Sequence, residues 1–192
     1  MPDTVELRAN MPRIKEAVLF LVHEAARLGV PATQYDIVKS LFLADKEHLN
    51  KYGRPVTFDN YVAMKHGPVP SKTYDLLKGK PSVVRDAGGA VPWERREAPE
   101  LGNSCNSFES PLREVDEDIL SPSDMKALAS AFGKVKKLGF GEVRTLTHGH
   151  PAYKEAWRDD PYFRAFPMDY SRLFDRPDPD KAAEIAFFSQ HI

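Results

Sequence analysis

The sequence predicts a mainly helical α+β domain, a compact helical core with a small antiparallel β-sheet. Three observations carry that expectation. Apolar residues recur at three- and four-residue steps in three long runs, each opened by a capping residue and closed by glycine. Residues 61–66 alternate instead, as a strand does. The 192 residues are 42% hydrophobic and 29% charged, enough apolar material for one core, or a core with an extension.

The elements follow in chain order. Asn10 is the cap of a first helix, with Pro12 tolerated in its first turn. Ile14, Val18, Leu21, Ala25 and Leu28 form its apolar stripe, and Gly29 stops it. A second helix is expected from near Thr33 to Lys51, burying Tyr35, Val38, Leu41, Phe42 and Leu49, with Gly53 just past its end. Pro55 forces an extended segment, and residues 61–66 read as a strand. In "HGPVPS" (66–71) Gly67, Pro68 and Pro70 end that strand, because proline donates no ladder bond. Ser71 is then the expected cap of a brief helix carrying Tyr74, Leu76 and Leu77, closed by Gly79. The stretch is a rigid strand-to-helix corner.

Residues 81–110 break any long period at Gly88, Gly89, Pro92, Pro99, Gly102, Asn103 and Asn106. They read as a loop-rich excursion with two short strands, at 83–85 and 107–109. "LREVDEDIL" (112–120) reads as a further strand. Ser121 caps a third long helix with Pro122 at its first position and Asp124 near its positive end. Met125, Leu128, Ala129, Phe132 and Val135 face inward, and Gly139 closes it. Two helical pieces then flank "HGHP" (148–151). After Trp157 the chain turns rich in proline and aromatics, recovering helix only in "PDKAAEIAFFSQ" (179–190).

Bulk properties exclude little and suggest no extreme partner. The net charge of −1 and pI near 6.6 announce neither nucleic acid nor an acidic tail. Residues 1–10 carry Asp3 and Glu6 and no apolar h-region, and the longest apolar run, 17–22, is far short of a membrane span. Cys105 is the single cysteine, so no intrachain disulfide forms and cysteine-rich zinc sites are out. A cytoplasmic location is the expectation, with no membrane association and no cofactor.

Candidate chemistry is thin. His148 and His150 straddle a glycine, whereas a metal pair on a helix prefers three- or four-residue spacing on one face. Asp159 or Asp160 would be the third ligand. A helix cap or core hydrogen bond is the stronger reading, and no metal is expected. Asp45 and His48, three apart, are placed to touch as an acid–base pair. No nucleophile or phosphate loop accompanies them, and a buried structural aspartate is favoured. "HGPVPS" lacks Walker spacing, and Cys105 has no hydrolase signature around it. Lys65, His66, Lys72, Lys78 and Lys80, interleaved with Tyr61 and Tyr74, suit phosphates or an acidic protein partner. A plain solvated face is the competing reading.

Taken together, "LFLADKEHLNKYGRPVTFDNYVAMKHGPVPSKTYDLLKG", "LSPSDMKALASAFGKV" and "RTLTHGHPAYKEAW" resemble, in that order, the Panacea domain of SocA-like antitoxins. The resemblance spans roughly residues 14–157. It rests on Leu43-Ala44-Asp45, Tyr52-Gly53-Arg54-Pro55, Tyr61-Val62-Ala63 leading into Gly67-Pro68-Val69, Leu120-Ser121, and Leu146-Thr147-His148 ahead of Pro151 and Trp157. It implies a non-enzymatic, prophage-associated antitoxin that neutralises a cognate toxin, encoded adjacently, by direct contact. One branch of the family instead hands its toxin to an AAA+ protease. The implied domain covers residues 1–157, with a loop-rich insertion at about 81–110, and residues 158–192 form an extension packed on or beside it. Tyr61, Lys65, Lys72, Tyr74, Lys78, Tyr153 and Trp157 are the expected partner-binding residues, since interface energy concentrates in aromatic anchors. Asp45, Gly53, Gly67, Pro68, Pro70 and His148 are expected to shape the fold. The alternatives are a protease adaptor, an enzyme using Asp45 and His48, and a DNA-binding regulator in which two helices, a short third helix and a strand pair imitate a winged helix-turn-helix.

Overall fold

Local capping chemistry places the three long helices in a computed structural model that describes residues 5–101 and 105–192. Asp3, Gly102 and Asn103, used above, lie outside the described residues. Helix α1 (Met11–Leu28) opens on Asn10, whose side chain accepts from the Arg13 amide, and ends on Gly29 at φ 64°. Helix α2 (Gln34–Tyr52) opens on a reciprocal Thr33–Asp36 capping box and ends on Gly53. The third is α5 (Pro122–His148), opened by a Ser121–Asp124 capping box. Gly139 (φ 72°, ψ 176°) kinks α5 rather than ending it. The left-handed glycine breaks the hydrogen-bond run, and a second helical piece starts at once.

These helices bury Ile14, Val18 and Leu21 against Ile37, Leu41, Leu128, Phe132 and their neighbours in one apolar cluster. A second cluster joins Phe42, Leu49, Tyr61 and Ala63 to Tyr153, Tyr170, Leu173 and Ile185. Leu43 packs against both. The tail, including helix α7 (Pro179–Ser189), supplies Met168, Tyr170, Leu173, Phe174, Ala182 and Ile185 to the second cluster.

Two three-stranded antiparallel sheets complete the fold. Strands β1 (Ala32–Thr33), β4 (Glu94–Glu97) and β5 (Asn106–Glu109) lie in the order β1-β5-β4. Strands β2 (Tyr61–Met64), β3 (Gly67–Pro70) and β6 (Phe166–Pro167) lie in the order β3-β2-β6. The mainly helical α+β class is therefore as the sequence predicts, with two small sheets in place of one. Short helices α3 (Ser71–Leu77) and α4 (Pro81–Asp86) link them. The order α1-β1-α2-β2-β3-α3-α4-β4-β5, with β1 joining the β4–β5 pair, approaches the layout of the winged-helix alternative, with the β2–β3 hairpin and α4 added to it.

Several expectations are corrected. The prolines do not end a strand: Gly67–Pro70 is itself a strand, with Val69 opposite Val62 and Gly67 opposite Met64. Pro68 and Pro70 are tolerated because β3 is an edge, where their missing donors would face away from the ladder. Residues 83–85 are helix, since Pro81 sets the first turn of α4 and only Val83 of that turn is buried. Residues 112–120 form turns rather than a strand. There Arg113 pairs with the buried Glu16 of α1, and the Asp116 amide donates to the same carboxylate at 3.0 Å. Strand β4 went unpredicted because its Glu-Arg-Arg-Glu is exposed throughout and shows no apolar alternation.

Candidate functional site

The motif-rich stretch from Asp45 to Thr73 is built around buried carboxylates. Asp45 accepts from the Val56 amide (2.7 Å), the Thr57 amide (3.0 Å), the Thr57 hydroxyl and the Tyr61 phenol (2.7 Å). Both of its oxygens are fully engaged, which locks the loop after α2. Burial pushes its carboxyl up, against those four donors. Asp59 accepts from the Lys72 amide (3.0 Å), the Thr73 amide (2.7 Å) and the Thr73 hydroxyl (2.8 Å). It thus caps α3 from outside the helix. Ser71, the expected cap, is the first helical residue, and Pro70 before it makes no side-chain cap. Burial pushes Asp59 up to about 6.

Asp124 is the third brace. Arg13 donates to it at 2.7 Å and Arg54 at 2.9 Å, while His48 Nε2 lies 3.2 Å away. Burial alone would raise this carboxyl. Its bonds to Arg54 and Ser121 and the charge of Arg13 outweigh burial and hold it at about 2. His48 also meets the Arg54 carbonyl at 2.8 Å through Nδ1. Asp45 and His48 are therefore both buried and face different partners: the acid–base alternative finds no contact between them, and Asp45 is a buried structural aspartate, the reading that the sequence favours.

The hairpin corner rests on Lys39. This lysine is 1% exposed, and its Nζ donates to the Pro68 carbonyl at 2.8 Å. That carbonyl faces outward from the edge strand, so the ammonium supplies the partner a further strand would have given. Gly67 (φ 102°) lies so close that a Cβ there would stand 2.8 Å from both Lys39 Nζ and Thr147 Oγ1, so a larger residue would have to displace them as well as adopt a strained backbone. Burial lowers the Lys39 amine to about 7. An unfolded lysine stays protonated to near 10.5, so between those values the unfolded chain holds the extra proton and stability rises with pH. Wild type should gain stability over Lys39→Met from pH 7 to 9, by up to about 1.4 kcal/mol per pH unit. Urea unfolding at the two pH values measures it, and parallel pH profiles would contradict the assignment.

The expected partner-binding residues separate into two groups. Tyr61 and Tyr153 are each 2% exposed, and the Tyr153 phenol donates to the Met64 carbonyl at 2.9 Å. Both are core residues, not surface anchors; each phenol has found a buried acceptor. Lys65, Lys72 and Lys78 are exposed, and Tyr74 and Trp157 half-buried. Lys78 lies 4.5 Å over the Tyr74 ring, while Trp157 stacks on Tyr153 and meets Phe166 edge-on at 5.8 Å. Lys65 stands at the hairpin turn, and Lys72 beyond the other end of β3, roughly 10 Å of strand away. The structure does not gather them into one patch. Exposed Tyr52, Phe140, Tyr162, Phe163, Phe187 and Phe188 were not picked out from the sequence. Residue type alone does not say which aromatics stay outside.

The histidines play separate roles. His150 accepts from the Ala152 amide at 3.3 Å and caps helix α6 (Pro151–Ala156); burial lowers it to about 4. The ring of His148 packs 4.4 Å from Tyr153. Among the described residues no three His, Cys, Asp or Glu gather as metal ligands. Burial pushes the Cys105 thiol up, away from nucleophilic chemistry.

A further feature is a cleft of about 510 Å³ between α2 and α5, floored by Phe42, Leu43 and Ala131. Its rim carries Lys46, Lys51, Lys134, Glu47 and Asp175. The winged-helix surface is electrostatically mixed by comparison. Residues 71–86 hold four cations and two carboxylates, but residues 94–109 hold two arginines and four glutamates.

Buried carboxylates thus brace the loops and helix ends beneath a varied surface. The family described as "Antitoxin SocA-like, Panacea domain" matches residues 37–154. The chain belongs to the SocA-like antitoxins. The match begins inside α2 and ends inside α6, and it encloses Asp45, Asp59, Asp124 and the hairpin. No curated protein and no solved structure matches the chain. Among the described residues no helix is long and apolar enough to cross a membrane.

Proposed function

We propose that this protein neutralises a cognate toxin by direct, non-catalytic protein–protein binding. Membership of the antitoxin family is the observation that carries the reading. The polar interior supports it. Asp45, Asp59 and Asp124 are all engaged in holding backbone and helix ends, leaving the exposed side chains to recognition. A rigid support lowers the ordering cost of association. The winged-helix layout brings DNA to mind, but the glutamate-rich β4–β5 pair and the net charge of −1 oppose a polyanion.

The test is co-expression with the adjacently encoded open reading frame, in cells with and without the AAA+ protease. Growth rescue should persist in both strains, and the two proteins should co-purify. Rescue confined to protease-containing cells would make this chain an adaptor. A neighbour that is harmless alone would remove the antitoxin reading.

A further inference from the structure

We propose that the α2–α5 cleft is the toxin-docking site and that it receives an acidic amphipathic segment of the toxin. The inference rests on the antitoxin reading and names the surface through which it would operate. Three features converge on it.

The floor is apolar, made by Phe42, Leu43 and Ala131, with Leu146 on the lip at 42% exposure. An apolar side chain inserted there would be desolvated on several sides, as interface anchors are. The rim is positive: Lys46 is neutralised by Asp175 at 2.8 Å, but Lys51 and Lys134 make no ion pair among the described residues, and only Glu47 opposes them. Charge continues along α5. Of its four lysines, Lys126, Lys134 and Lys137 are exposed, whereas Lys136 turns the other way and pairs with Asp36 at 3.0 Å.

An acidic segment answers each feature: its apolar residue fills the floor, and its carboxylates meet Lys51 and Lys134. A nucleic acid would use the lysines but leave the apolar floor idle. Asp175 comes from the tail, so the tail shapes one wall and offers a route to partner choice.

Two variants of the full chain test this, each altering exposed positions: the charge reversal Lys51→Glu/Lys134→Glu, and the cleft-filling Ser130→Trp. Circular dichroism and thermal unfolding should match wild type. Affinity for the purified toxin should fall about 10- to 100-fold for each variant, with loss of growth rescue. Folded variants that bind and protect like wild type overturn the docking site while leaving the antitoxin reading intact. If wild type itself binds and neutralises no toxin, both fall. A wild-type dimer that both variants dissolve would assign the cleft to a second copy. Duplex DNA binding lost in both would assign it to nucleic acid. Either outcome overturns the proposal.

Discussion

Asp45→Ala should remove a large part of the protein's stability. The substitution strands the Val56 amide, the Thr57 amide, the Thr57 hydroxyl and the Tyr61 phenol, all in the protein interior. Each buried polar group left without a partner costs about 1–3 kcal/mol, so even with water entering, the loss should exceed about 4 kcal/mol. Total stability of such domains is about 5–15 kcal/mol. Asp45→Asn should cost less, because the two hydroxyls can turn to accept from the new amide. Tyr61→Phe, which removes one donor and leaves one acceptor short, should cost about 1 kcal/mol. Urea unfolding of the three variants checks the order Ala, Asn, Phe. Equal effects of alanine and asparagine would mean that shape, not hydrogen bonding, governs the site.

Asp124→Ala is the second large effect. It unpairs Arg13 and Arg54, removes the acceptor beside His48 and breaks the α5 capping box. Removing one member of a buried ionic cluster typically costs about 3–5 kcal/mol. The pH dependence gives an independent check. Asp124 is held at about 2, below its ordinary value near 3.8. Its contribution is therefore complete above about pH 4 and is lost as the pH falls toward 2. Wild type should lose its advantage over Asp124→Ala across that window. A constant difference from pH 5 to pH 2 would deny the ionised cluster.

What the sequence reveals is what is local. Asn10, Thr33 and Ser121 cap helices because each side chain reaches an amide two or three residues on, and Gly29 and Gly53 end helices through their own backbone freedom. Failures come where a distant residue decides. The cap of α3 is Asp59, twelve residues before Ser71, and it reaches the helix only because the hairpin folds back. Strand β3 survives its two prolines because it is an edge paired only with β2, and Lys39, on α2, satisfies the outward Pro68 carbonyl. Tyr61 and Tyr153 read as anchors by type, yet Asp45 and the Met64 carbonyl bring their phenols inside. Lys134 of α5 does not stand out in the sequence, because its meeting with Leu43 and Lys51 across a cleft is created by helix packing.

The most direct measurement uses two purified proteins and nothing else: the toxin's own activity titrated with this chain. Activity should fall to background near an equimolar ratio, with no protease, nucleotide or DNA present. A toxin that stays fully active under a large excess of the folded chain would contradict neutralisation by direct binding.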